Sequence, residues 1–501
     1  MKTYYIDPEG TDSNDGLSQG YPWAIGALYG AFERGLFKPG DHILFHRGRV
    51  HQVTSGHGWI RTRNCSGTKA DPIVLSHYGT SDHRPVLDML TKGQVPMIGM
   101  YGGDVCDHLH IEDLEVCNVL DTAALKLAGV TGWRLRNLYV HHGIWEQYIG
   151  IAIHVNMNSR DVVIEDCLVE DNKGEGLYCG KTGIEDRTEV IVRRCTFRRC
   201  ENEAIDFKGG VSNSLIEDCY FEDNAPRDKG DDAQINLGGL DNIMRGCTVK
   251  GAAGSNRYGV NFFYTHSCQA ARRTLVENCV FIGAGGAGES GAAIGLDGDE
   301  NTLRDCSFID CPTSILADSN ACVAGGLQRV SGCEFQGGIV PVRFEKPTSD
   351  VPLRLFAFDY NTYDRDGIWA VDGRVLSLAD VQALGQETHA GTPGTDPDRG
   401  RPRIQYRRRY ILLPQNAEPA WWHAVVDATH EGRNTIGGSA DDAGIGDLDD
   451  RNVVVVNPTQ WPVLLTQGWF DEHYPGVNVV FVEAATPEEL YEKLVTMGEY
   501  A

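Results

Sequence analysis

Apolar residues recur in short alternating runs along most of the chain, interrupted every few residues by Gly, Asn or Asp. Alternation with a period of two marks a strand with one buried face, so runs this short predict many brief strands joined by tight turns. The runs are themselves periodic. The phrase apolar-x-x-Cys-x-apolar appears as VIEDCLV, VIVRRCTF, LIEDCYF, IMRGCTV, LVENCVF, LRDCSF and VSGCEF, which puts Cys167, Cys195, Cys219, Cys247, Cys279, Cys306 and Cys333 at one phase. Two earlier copies, IEDLEV and LRNLYV, are read with Asp113 and Asn137 at that phase. Each copy holds two short strands flanking the Cys, a loop rich in Gly, Asn and Asp, and a third strand such as GIAIHVN, EGLYCG, AIDFKGG, AQINLGG, YGVNFFY or AAIGLDG. Three strands in a repeat of roughly 28 residues predict one coil of a parallel β-helix, an all-β prism whose coils stack at about 4.8 Å. The repeated thiol then lies in an internal stack at one bend, packed as a small hydrophobe with no redox or metal role.

The beginning, YYIDPEGTDSNDGLSQGYPWAIGALYGAFERGLFKPGDHILFHRG, and DPIVLSHYGTSDHRPVLD after it resemble the opening segment of right-handed parallel β-helix proteins of the pectate-lyase-like class. Within it, AIGALYGAFERGL has helical apolar spacing and is expected to cap the open end of the prism, covering its unpaired strand edges. GRVLSLADVQALGQETHAG resembles the closing strand and short helix of the same class. The resemblance implies a right-handed single-stranded β-helix over 1–391, with the N-terminal cap in about the first 50 residues.

Residues 392–409 combine Pro, Gly and Asp with Arg399, Arg401, Arg403, Arg407, Arg408 and Arg409, which reads as a linker with a basic face. Beyond it the period changes. NVVVVN and NVVFVEA read as strands, and TPEELYEKLVTM as a helix with Thr486 as N-cap, Pro487 at the first position and Glu489 closing a capping box. Residues 410–501 are therefore expected to form a small α/β appendage, assigned to assembly or attachment.

Composition narrows the partners. In 501 residues, 45 Lys+Arg face 70 Asp+Glu, and a net charge of −25 argues against nucleic acid or an anionic membrane. The 59 glycines fit many tight turns, and the 15 cysteines show no zinc spacing, which suggests a reduced protein. The N-terminus reads as lacking a signal peptide, so the protein is expected in the cytoplasm or on a phage particle, outside the cell after release.

Placing Ile153, Leu177, Ile205, Ile235, Val260 and Ile294 inside the prism turns the next position outward. That row holds His154, Tyr178, Asp206, Asn236, Asn261 and Gly295, and two residues on stand Asn156, Gly180, Lys208, Gly238, Phe263 and Asp297. A polar strip on a stacked sheet suits an extended polymer, with Asn156, Asn236, Asn261, Phe263 and Asp297 as candidate substrate contacts; a plain surface ladder is the alternative. Glu201, Glu203 and Asp206 in one coil and Asp228, Asp231 and Asp232 in the loop entering the next are oxygen donors of the kind Ca²⁺ takes, with Glu203, Asp206, Asp231 and Asp232 the candidate ligands. The alternative is a solvated acidic loop. Lys208 beside them fits β-elimination from a uronate, in which a base removes the proton next to the sugar carboxylate and an acid protonates the departing oxygen. A simple ion pair of Lys208 with Asp206 or Glu203 is the competing reading.

Glu203-Ala-Ile-Asp206-Phe-Lys208-Gly resembles the Glu-x-Ile-Ser-x-Lys-Ser segment of polysaccharide lyase family 6, whose Lys is the base and whose Glu helps hold calcium. Asn202, Glu203 and Asp206 resemble the calcium cluster of family 9. The resemblance implies a lyase of acidic, uronate-containing polysaccharide with Ca²⁺ as cofactor. The family 6 Arg of the following coil corresponds to Gly238, which leaves His154 or Tyr178 as proton donor. Three other readings stand beside it: a tailspike-type glycoside hydrolase pairing Asp206 with Asp231, Asp232 or Asp297, a uronan C5-epimerase, and a non-catalytic glycan-binding β-helix. A homo-trimer is expected if the chain is a phage spike.

Overall fold

The computed structural model describes the chain apart from residues 54–59, 90–96, 101–102, 120–122, 144–149, 182–186, 226–232, 252–257, 263–270, 286–290, 319–320, 323, 346–352, 372, 392–408, 415–416, 418–419, 422–423, 426–427, 429–433, 438–451, 462–464, 475–476 and 498–501. Two compact units result, Met1–Asp396 and Pro397–Ala501.

Three sheets of 13, 12 and 13 strands make the first unit, and successive strands of each sheet lie one coil apart in the sequence. The first sheet runs from Thr3–Ile6 to Phe356–Asp359, the second from Val50–Gln52 to Thr362–Tyr363, and the third from Ile60–Arg61 to Arg374–Ser377. All pairings within them are parallel except the last, where Arg374–Ser377 turns back along Gly367–Val371. Inward residues stack on their own kind. Ile164, Val192, Ile216, Met244, Val276, Leu303 and Val330 form one in-register row, fully buried. Phe281, Phe308, Phe335 and Tyr363 form another, with successive rings 4.9, 5.0 and 4.9 Å apart. Burying each such side chain contributes roughly 1.5–3 kcal/mol, so the ladder of like residues fixes the register between coils.

The bend between the first and second sheets is a two-residue device. Its first residue adopts a left-handed conformation, as at Asp166 (φ 56°), Asp218 (57°), Asn278 (50°) and Asp305 (52°), which Asp and Asn tolerate better than other side chains. Its second is the repeated Cys, buried in every copy, whose thiol donates to the carbonyl two residues back: 3.2 Å from Cys219 to Glu217 and 3.3 Å from Cys247 to Arg245. The thiols are thus structural. One expectation is corrected here. Pairing of Arg136 with Glu165 places Leu138, not Asn137, opposite Cys167, and Leu114 in turn opposite Leu138. Asp113 and Asn137 are the left-handed residues before the stack, at φ 59° and 51°, and the buried leucines continue the apolar column that the cysteines extend.

Both ends of the prism are closed. Helix Ala27–Glu33 buries Leu28, Ala31 and Phe32 in the core near one end. At the other, Ser377 and Asp380 form a capping box that starts helix Leu378–Ala383.

The second unit has a parallel sheet of four strands in the order Asn434–Gly437, Arg409–Leu412, Asn452–Val456 and Asn478–Val482. Alternate residues of the central strands join two separate apolar clusters, one including Phe470 of helix Gln467–His473 and the other Leu490 and Leu494 of helix Pro487–Thr496. Thr486 caps the latter by accepting from the Glu489 amide, while the Glu489 carboxylate takes the amide of Ala485 rather than that of the cap residue itself. Most of the Arg-rich stretch lies outside the described residues.

Candidate functional site

The third sheet carries the predicted polar row in register. Lys126, His154, Tyr178, Asp206, Asn236, Asn261 and Gly295 oppose one another in seven successive strands, because the inward Leu125, Ile153, Leu177, Ile205, Ile235, Val260 and Ile294 stack beneath them. The row points away from the core, with Lys126, His154 and Tyr178 half-buried and the residues after them covered. Asp206 and Asn236 are each 1% exposed, since side chains on coils this close cover one another.

Glu203 stands two residues before the inward Ile205, and Glu175 holds the same place before Leu177 in the preceding coil. Their carboxylates meet that of Asp206, each offering an oxygen within 4.8 Å of the others. The Asn236 amide donates to Glu203 at 3.0 Å. Lys208 binds Asp206 at 2.6 Å, and its ammonium lies 5.3 Å from the centre of the Tyr178 ring. Tyr178 meets His154 edge-on at 5.0 Å, and Asn156 Nδ2 lies 2.9 Å from His154 Nε2.

The electrostatics follow from burial and crowding. Burial and the Asp206 charge push Glu175 up to about 7. Burial, then the charges of Asp206 and Glu175, hold Glu203 well above the usual carboxylate range. Burial also raises Asp206 despite its lysine. Burial opposes the charge on Lys208, but the charge and hydrogen bond of Asp206 outweigh it and hold the ammonium above the usual lysine range. Among the described residues, three carboxyls thus share one cationic side chain. Glu175 Oε2, Asp206 Oδ1 and Asn236 Oδ1 are buried oxygens with no hydrogen-bond partner among the described residues.

The structure therefore brings together Lys208, Asp206, Glu203, Tyr178, His154, Asn156 and Asn236. Asn261 is one coil further on, and Asp297 is buried beyond the end of strand Ala292–Gly295. Phe263, Asp228, Asp231 and Asp232 lie outside the described residues. Glu201 binds Lys173. Gly238 follows Leu237, the partner of Phe207, and a Cβ there would lie 2.4 Å from the Phe207 carbonyl, so no arginine fits at that position.

Residues 107–234 and 151–337 match the family described as "Right handed beta helix region". The fold is a right-handed parallel β-helix. Pectate lyase Pel9A is a similar structure, 15% identical over 64% of this chain and 78% of its own, with a TM-score of 0.44. A mannuronic acid specific polysaccharide family 6 lyase from human gut microbiota is 11% identical over 98% and 94%, with a TM-score of 0.43. A mutant tailspike protein of E. coli bacteriophage HK620, in complex with pentasaccharide, is 11% identical over 76% and 75%, with a TM-score of 0.41. No curated protein matches the chain.

On this β-helix the residue that sequence reading missed is Glu175. The signal was present: EGLYCG and EAIDFKGG share a glutamate two places before the inward residue, and aligning the repeats on Leu177 and Ile205 puts the two side by side.

Proposed function

We propose that the outer face of the third sheet binds an acidic polysaccharide and cleaves it by β-elimination beside Lys208. The observation that carries this reading is the convergence of Glu175, Glu203 and Asp206 within 4.8 Å, with buried oxygens left unbonded beside a single lysine among the described residues. Carboxylates gathered against their own repulsion are a mark of a functional site rather than of a stabilising network. The three acids are all hard oxygen donors and fit Ca²⁺, which bound there would neutralise the uronate carboxylate and so acidify the neighbouring C–H.

The chain's own groups supply the rest. Lys208 takes the proton once the Asp206 charge that keeps it protonated is compensated. Tyr178 and His154, on the two preceding coils, are candidate donors to the departing oxygen, and the row continues through Asn236 and Asn261 on the next coils. Incubation with alginate, pectate and bacterial capsular polysaccharides, read by the absorbance of unsaturated uronate, tests the proposal. Growth of that signal that is lost in Lys208→Ala supports it; new reducing ends without the signal overturn it.

That second outcome belongs to hydrolysis, which one observation favours. Glu175, protonated to about pH 7, is a ready general acid, and Glu203 at the same place one coil on is about 5 Å away, the separation of a retaining pair, in which Glu203, itself raised, would have to give up its proton to act as nucleophile.

A further inference from the structure

The second sheet carries a different cluster. In strand Glu115–Cys117 the inward residue is Val116, so Glu115 and Cys117 both stand on the outer side. The next strand, Tyr139–His141, sets His141 directly opposite Cys117 and Tyr139 opposite Glu115. A carboxylate oxygen of Glu115, the thiol sulfur of Cys117 and a ring nitrogen of His141 lie within 4.8 Å of one another, with His141 Nε2 3.2 Å from Glu115 Oε1.

From this geometry we infer that Glu115, Cys117 and His141 form a binding site for Zn²⁺, separate from the acidic cluster of the third sheet. Ligand choice decides the metal. A thiolate and an imidazole are borderline-to-soft donors that select zinc over calcium or magnesium, whose shells are oxygen. Tetrahedral bonds of about 2.0–2.3 Å place ligand atoms roughly 3.4 Å apart, so the present spacing closes onto a metal with modest side-chain adjustments. Three protein ligands leave a fourth position for water.

The surroundings orient the ligands as metal sites require. His141 Nδ1 faces His142 Nδ1 at 2.5 Å, which orients the ring with Nε2 turned toward Glu115, where a metal between the two would sit, and Tyr139 stacks on the same ring at 4.1 Å. Asn118 reaches back to the Cys117 sulfur at 3.6 Å while donating to Asp88 at 2.9 Å. Cys117 differs from the stacked thiols in this respect, for they sit inside the bend and donate to backbone carbonyls, whereas Cys117 stands among polar side chains on the outer face.

The test uses the full chain, freed of metal by chelation and titrated with Co²⁺ as a spectroscopic probe for the zinc position. One equivalent is expected to produce a thiolate-to-cobalt charge-transfer band with the visible absorption of tetrahedral cobalt, both removed by equimolar Zn²⁺. Cys117→Ser should abolish the charge-transfer band, and His141→Ala should weaken binding by roughly tenfold or more. Glu115→Gln, which keeps the shape of the side chain, should weaken it as well, and circular dichroism confirms that each variant is folded. Absence of the band in the wild-type protein, or its survival in Cys117→Ser, overturns the inference.

Discussion

Two faces of the same prism treat charge in opposite ways. On the first sheet Glu165, Arg193, Glu217, Arg245, Glu277 and Arg304 oppose one another in six successive strands, so the sign alternates at every step. Each acid has its guanidinium, at 2.6 Å from Arg193 to Glu165 and 2.7 Å from Arg245 to Glu217 and from Arg304 to Glu277. Burial opposes the Glu165 charge, but Arg193, Arg134 and Arg194 together hold its carboxyl below the usual range. On the third sheet the same coil spacing stacks Glu175 on Glu203 beside Asp206, and all three are pushed up. The coil geometry is shared, so the difference lies in the residues chosen. A ladder that alternates pairs each charge with its opposite, and one that accumulates a single sign leaves its carboxyls crowded, which is the arrangement the proposed cation site requires.

The contrast is sharpest in activity. Lys208→Ala should lower uronate release by about a thousandfold, the scale of a lost general base, whereas Arg245→Ala should leave the rate per folded molecule unchanged. Comparable losses in both variants would show that the two faces do not differ in role. Stability should report the reverse. Removing Arg245 takes its guanidinium from the 4%-exposed Glu217 and is expected to cost about 3–5 kcal/mol in denaturant unfolding, whereas Asp206, already raised, can take up a proton when Lys208→Ala removes its partner, which keeps that loss smaller.

A third measurement separates the faces by pH. Glu175 has a folded value of about 7 against an ordinary 4.5, so folding favours its protonated form, and the stability this provides is complete below 4.5 and lost as pH rises through 7. In chelated protein, Glu175→Gln should therefore gain up to about 3 kcal/mol over wild type near pH 8 and almost nothing near pH 4. Saturating Ca²⁺ should erase that gain. A gain independent of pH would remove crowded carboxylates as its cause. The smallest effect concerns the bend. Cys219→Ala should cost on the order of 1 kcal/mol, for a lost thiol contact and a small void, with activity untouched.

Much of this was legible beforehand. The inward and outward rows of the third strands follow from alternation alone, since Ile153 and Leu177 can only face the core if His154 and Tyr178 do not. The bend was legible in its Cys but misplaced by one residue in the copies at Asp113 and Asn137, where leucine replaces the marker. Burial of the polar row was not legible, because it depends on how side chains of adjacent coils cover one another. The Lys208–Asp206 ion pair was legible from their spacing as one of two readings, and the structure shows it, with the Asp206 charge holding the lysine protonated.

The chain's own order of residues determined the strand, the turn and the coil, because alternation and left-handed Asp or Asn positions act between near neighbours. The tertiary structure alone decided which distant side chains meet. Glu175 and Glu203 are one coil apart in the chain, as are Cys117 and His141, and each pair comes together only because apolar residues beneath them stack in register. Charge and ligand chemistry act over a few ångströms, and only the stacked coils bring those groups within that range.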